Sequence, residues 1–346
     1  MWTLRNINPA CGRSVDGLAI SRTSNASRSR CAGFTLVEIL VSTAILLMLL
    51  VLFGQILNST TGAFSSGEAN TERLQNARAI NDFIGSEMQA ALLPAVTSSS
   101  NSLQFVVNPT GVSATLGRNP DAIFWQAPIA TDQRLGDVAE IGYFVNWDTT
   151  TKPSNPRARL CRFFVNPVKS GTSGAAAPEP NFLIYATPAS WLTDSIIKDV
   201  VPVIDYPSSK SYQGLFAENV LGLWVSCLDS GSNPITVDAS GAAYAGGASD
   251  SRRGYLTDDP TDPNTPKGKI TKRLPAIVDL SYVIIDSSAA AKVTPDMQAA
   301  IVSLYNTATD GDDFDRKAQS DSLNRFHAIK SSLRSYKTRI YLQNSQ

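Results

Sequence analysis

The feature that most constrains this chain is an apolar run, Phe34 to Leu57, that carries one carboxylate. Its 24 residues would span about 36 Å as a helix at roughly 1.5 Å per residue, enough to cross a bilayer. From Ile39 to Gly67 there is no charged residue at all. Glu38 sits near the start of the run, where an ionised side chain in hydrocarbon costs roughly 2.5–3.5 kcal/mol on insertion scales. Residues 1–33 hold Arg5, Arg13, Arg22, Arg28 and Arg30 against one acid, Asp16, a net charge of +4. They are rich in Ser, Asn and Gly without apolar periodicity, which reads as an unfolded leader. The positive flank precedes the run and Glu68 and Glu72 follow it. That asymmetry predicts a cytoplasmic leader and a single span with the remainder outside. A secretory signal has a shorter apolar region and a small-residue cleavage site after it. A lipoprotein signal places its cysteine after the run, whereas Cys31 precedes it. A plain anchor fits the length and leaves Glu38 unexplained.

Composition narrows the chemistry. The 346 residues carry 30 basic and 30 acidic side chains, so there is no electrostatic footprint for nucleic acid. The lone histidine, His327, makes histidine-based metal or acid–base chemistry hard to assemble. No G-x-S-x-G elbow, H-E-x-x-H or Gly-rich phosphate loop occurs. The expectation is a protein that is not an enzyme and takes no cofactor.

Beyond the apolar run, the polar stretch Asn58 to Asn70 with its two glycines predicts a bend or a local melting of the helix. Leu74, Ala77, Ile80, Ile84, Met88 and Ala91 then recur every three or four residues, as on one helix face, until Pro94. After Pro94 short β-branched or aromatic runs alternate with Gly, Pro, Asn and Asp. Strands are expected at 102–107, 122–127, 139–147, 158–165, 181–186, 220–228, 276–285 and 335–343, with short helices near 191–200 and 295–306. The predicted fold class is α+β, an N-terminal helix laid on antiparallel sheet. The domains are a leader over 1–33, a membrane helix over 34–57, its continuation over 58–94, and a β-rich unit over 95–346. Within that unit Asp229 to Ile270 is poor in large apolar residues and dense in Gly, Ser, Asp and Pro, so an exposed mobile loop is expected there. Residues 166–180 have the same character. Trp125, Trp147, Trp191, Trp224, Tyr143 and Tyr282 fall in these patterns and most simply fill core.

The hexapeptide GFTLVE, Gly33 to Glu38, resembles the class III signal of type IV pilins and pseudopilins, with the basic leader before it and the apolar helix after it. The leader is longer than the shortest in that family. The resemblance implies cutting between Gly33 and Phe34 by a prepilin peptidase on the cytoplasmic side, then N-methylation of Phe34. It also implies that Glu38 of one subunit meets the charged N-terminal amine of a neighbour, setting the axial register of a filament; buried charges persist when they are paired. Residues 215–229 (LFAENVLGLWVSCLD) and 273–286 (RLPAIVDLSYVIID) look like paired strands of minor pseudopilin J of type II secretion, separated here by a longer linker. The arrangement, with TRIYLQN at 338–344, also resembles the Verru_Chthon cassette protein C family. The partners implied are the prepilin peptidase, other pseudopilin subunits, an inner-membrane assembly platform and membrane lipid, with the β-rich unit periplasmic. Two other readings stay open: a membrane-anchored binding module that keeps its leader, and a component of a type IV pilus for adhesion or DNA uptake.

Some pseudopilins bind calcium, and two acidic clusters are candidates for it: Asp258, Asp259, Asp262 and Asn264, and Asp310, Asp312, Asp313 and Asp315. Neither has the D-x-D-x-D-G spacing of a calcium loop, and solvated acidic turns are expected, with no metal. Cys11 and Cys31 leave with the leader if it is cut. Cys161 and Cys227 remain in predicted strands and an oxidising compartment. A disulfide between them and two separate buried thiols are both open.

Overall fold

The computed structural model describes residues 35–92, 105–109, 112–113, 119–131, 137–149, 153–165, 214–244, 248–258 and 269–345. Helix α1 covers Leu36–Gln89. The chain divides into two compact units, residues 1–61 and 62–346.

In the second unit, the α1 residues Ala77, Ile80, Ile84 and Met88 are buried, the stripe expected from their spacing. Asn58–Asn70 is helical, so of the bend or local melting expected there the melting does not occur. Thr60 and Thr61 return their hydroxyls to the carbonyls of Ile56 and Leu57, and Ser66 and Thr71 to those of Gly62 and Gly67. This back-bonding satisfies the polar side chains within the helix itself.

Six antiparallel strands form the larger sheet: β1 Phe105–Val107, β2 Ala122–Ala127, β3 Ala139–Asp148, β4 Arg157–Val165, β5 Leu215–Glu218 and β7 Ser249–Asp250, in the order β5-β4-β3-β2-β1-β7. A second antiparallel sheet has β10 Ile277–Ile284 between β6 Val220–Leu228 and β11 Arg334–Tyr341. Strands β8 Tyr255–Asp258 and β9 Lys269–Lys272 pair as a ribbon. The chain changes sheets between β5 and β6 at Asn219, whose φ of 63° is a left-handed conformation that asparagine tolerates. Its N–H donates to the Ala158 carbonyl of β4, and its carbonyl accepts from Ile285 just past β10, at 2.9 and 3.1 Å. One residue thus ties both sheets together.

Strand β10 is buried along its whole length because both of its faces are covered. On one side the Tyr282 hydroxyl lies 3.0 Å from the Ala77 carbonyl of α1 and 2.8 Å from Asn81 Oδ1. On the other, Trp224 packs with Tyr305 and Phe314, ring centroids 5.4 to 6.0 Å apart. Those rings come from α3 Pro295–Tyr305 and α4 Gly311–Gln319, which follow the single turn α2 Ser287–Ala290. Each helix starts at an oxygen side chain: Asp286, Thr294 and Asp310 accept backbone N–H groups three residues on. Asp310 therefore caps α4, and Asp312 and Asp313 occupy its first turn, where the helix dipole favours anions. Thr294→Ala should cost about 1 kcal/mol, read as a shift of the urea midpoint at unchanged slope.

Most of 230–243 is exposed, as expected of a loop, but the described residues of 229–258 are tied down by hydrogen bonds. Asp238 accepts from the backbone N–H groups of Ser240 and Ala242, from the Ser240 hydroxyl and from Arg253. Those bonds, the Ser240 hydroxyl first, hold its carboxyl down at about 2. Tyr244 is buried and donates to the Gly254 carbonyl at 2.8 Å, Tyr255 is buried, and β7 extends the larger sheet. Side-chain bonds to backbone order a segment that has little apolar surface to bury. The strand expected at 181–186, the helix at 191–200 and Trp191 lie outside the described residues, as do Pro94, Asp259, Asp262 and Asn264.

Candidate processing and assembly segment

Described residues begin at Thr35, so Gly33 and Phe34 lie outside them. Helix α1 starts one residue after Thr35, whose side-chain oxygen accepts from the Glu38 N–H at 3.3 Å. Thr35-x-x-Glu38 has the spacing of a capping box, a helix-start signal carried by the sequence itself. Glu38 thereby falls in the first turn of α1, near the positive end of the helix dipole. Its carbonyl accepts the Ser42 hydroxyl at 2.7 Å, and its side chain is exposed. Leu36 to Leu57 is exposed on every side, and α1 is long and apolar enough to cross a membrane. A helix apolar all round needs lipid or other apolar helices about it.

Cys161 and Cys227 are not brought together. Cys161 lies on β4 of the larger sheet and Cys227 on β6 of the smaller one, both as free buried thiols. Of the two readings left open, the structure has the separate buried thiols. His327 is exposed, with Nδ1 3.1 Å from the Asn324 carbonyl. Trp125, Trp147, Trp224, Tyr143 and Tyr282 are buried, as core residues should be.

Among the described residues, several buried ionisable groups were not anticipated, three of them around α1 and β3. Glu87, near the end of α1, accepts from the Tyr143 hydroxyl at 2.6 Å and from Arg162 Nε at 3.2 Å, with a second bond from Arg162 Nη2. Burial first, then the Glu87 charge, pushes the Tyr143 phenol far up. Burial alone would lower Arg162, but its bonds to Glu87 outweigh that and raise it. At the other end of the stripe, Arg73 donates to the Ser332 carbonyl at 2.6 Å and lies 3.5 Å from Asp286. Burial opposes the Asp286 charge, yet bonds from Ser332, the Ala289 N–H and Ser288, with Arg73, hold its carboxyl below the usual range. The third group, Glu140 on β3, is 1% exposed and accepts from Gln126 at 2.8 Å. The signal for Arg73 and Glu87 was in the sequence: both are charged residues inside the apolar stripe of a helix.

Residues 28–53 match the prokaryotic N-terminal methylation motif. By that motif and the apolar helix that carries it, the chain is similar to type IV pilin-like proteins. Within that class it is similar to type II secretion system protein J of Xanthomonas campestris pv. campestris, 36% identical over 85 residues. That match takes in 24% of this chain and 40% of the relative, so the chain spans less than half of the relative's length. A type IV-like pilin from Thermus thermophilus aligns over 79% of this chain and 98% of its own, at 11% identity and a TM-score of 0.29. That superposition is too loose to bear on the fold.

Proposed function

We propose that this chain is the precursor of a minor pilin-like structural subunit, not an enzyme. A prepilin peptidase cuts it between Gly33 and Phe34 and N-methylates Phe34. The leader lies in the cytoplasm, α1 anchors the subunit in the inner membrane, and the β-rich unit is periplasmic. Assembly with other pseudopilins then draws it into a pseudopilus of the type II secretion kind. The observation that carries this reading is the methylation motif at 28–53, running directly into an exposed apolar helix with Glu38 in its first turn. Cleavage creates a cation on Phe34, and a carboxylate five residues into the mature chain is the partner that a neighbour's amine needs in an apolar setting. The large unit with its β8/β9 ribbon suits the tip, because bulk of that kind would crowd a repeating helical shaft.

The test is intact mass and N-terminal peptide analysis of the protein from its native membrane. The expected chain begins at N-methylated Phe34, and Gly33→Asp abolishes that species. Glu38→Val should leave cleavage intact while removing the subunit from filaments. A mature chain that begins at Met1, or function indifferent to Glu38→Val, would return the protein to the anchored binding module.

A further inference from the structure

We propose that the polar clamps at the two ends of the buried stripe, Arg73 with Asp286 and Glu87 with Arg162, are a register lock. They hold α1 against a one-turn slip along the sheets that its large apolar side chains would allow. This inference concerns residues 62–346 alone and stands apart from the reading of the N-terminal segment.

The stripe is self-similar with a period of four. Moving residues 73–92 four places toward the N-terminus puts Ile84 where Ile80 sits, Met88 where Ile84 sits, and Leu92, which lies past the end of α1 with its N–H on the Gln126 carbonyl, where Met88 sits. These three large apolar slots are refilled by apolar side chains of similar volume, a swap that packed interiors tolerate. The small buried slot of Ala77 takes the larger Asn81, an overpacking cost that the slip bears as well. The charged slots are not refilled. Ala77 replaces Arg73 beside Asp286 and Ser332, and Ala91 replaces Glu87 beside Arg162 and Tyr143. A slip the other way is refused by the stripe itself, because Arg73 would enter the slot of Ala77 and Asn76 that of Ile80. The lock therefore needs to act in one direction only. Both clamps resist it, since in that slip each leaves a buried or half-buried charge unpaired. Setting register is the best-attested use of buried ionic groups, and one-turn ratchets of one element past another are a known kind of switch.

The test uses the full chain in detergent micelles with spin labels on Gln75→Cys and, in turn, on Ser226→Cys or Ala299→Cys, all exposed sites. Cys11 and Cys31 are changed to serine. Cys161 and Cys227 stay, since burial pushes both thiols up to about 12 and keeps them unreactive. The wild-type clamps should give a single distance in each pair. With both clamps neutralised (R73M, D286S, E87Q and R162M) a second population is expected, displaced by up to about 5.4 Å, one helical turn. A folded variant with single, unshifted distances in both pairs would overturn the lock. If that variant does not fold, the two half-variants, R73M with D286S and E87Q with R162M, decide instead. The lock predicts broadened distances in at least one of them, and widths unchanged from wild type in both would overturn it.

Discussion

Glu87→Ala is expected to destabilise the β-rich unit by about 3–5 kcal/mol, the cost of breaking a buried ion pair from one side. The carboxylate is the shared acceptor for the Tyr143 hydroxyl and for two Arg162 nitrogens. Its removal leaves a buried phenol without that bond and a guanidinium whose side chain is only 22% exposed without its counter-charge. Arg162 also lies over the Phe83 and Phe164 rings, 5.3 and 4.4 Å from their centroids. Those contacts keep it from swinging fully into water. The backbone at Glu87 adds a further tie, because its carbonyl accepts from Trp125 Nε1 at 3.2 Å. That tie survives the substitution, so the loss belongs to the side chain. Pairing E87Q with R162M should instead be close to neutral, since no charge is then left alone. Urea unfolding of the three proteins checks this. A loss under about 1 kcal/mol for Glu87→Ala would mean that Arg162 reaches solvent and that the pair is an ordinary surface bridge.

Much of the fold was legible because its signals are local. The α1 stripe, β2, β3, β4, β6 and β10 follow from period and residue type, and Thr294-Pro295 marks the start of α3. What escaped depends on contacts made across the chain. Helix α4 buries Phe314 as its one large apolar side chain, with the small Gly311 and Ala318, so no periodic run announced it. It is held by its Asp310 cap and by Phe314 packing on Trp224. Strand β7 is two residues long and exists because β1 offers it an edge. Residues 229–258 looked unable to fold on composition, yet Asp238, Tyr244 and Arg253 supply hydrogen bonds in place of apolar area. The methylation motif at 28–53 and the apolar helix were legible for the opposite reason. Their meaning lies in a short motif and a membrane-length run, neither of which needs tertiary context.

Glu140→Gln is expected to make the protein more stable at pH 7, by on the order of 3 kcal/mol, and to flatten its stability between pH 5 and 8. Glu140 stands at the register position opposite Gln126 on β2, fully buried. Burial pushes its carboxyl up to about 8, and the Gln126 bond offsets only part of that. The folded protein therefore keeps a proton that the unfolded chain has lost between pH 4.5 and 8. The stabilisation is fully present below pH 4.5 and is lost as pH rises through about 8. Asp286, Asp238, Asp313 and Asp321 have the opposite sign: all are held below the usual carboxylate range. What they add is present above about 3.8 and lost on further acidification, outside the window in which Glu140 acts. A neutral amide of the same shape removes the cost of ionising in a dry site and leaves the acid limb untouched. Urea midpoints from pH 4 to 9 should thus converge at the acid end for wild type and E140Q and separate steadily toward pH 8. Parallel curves over the whole range would show that Glu140 ionises in the folded state at little cost, and that water reaches this face of β3.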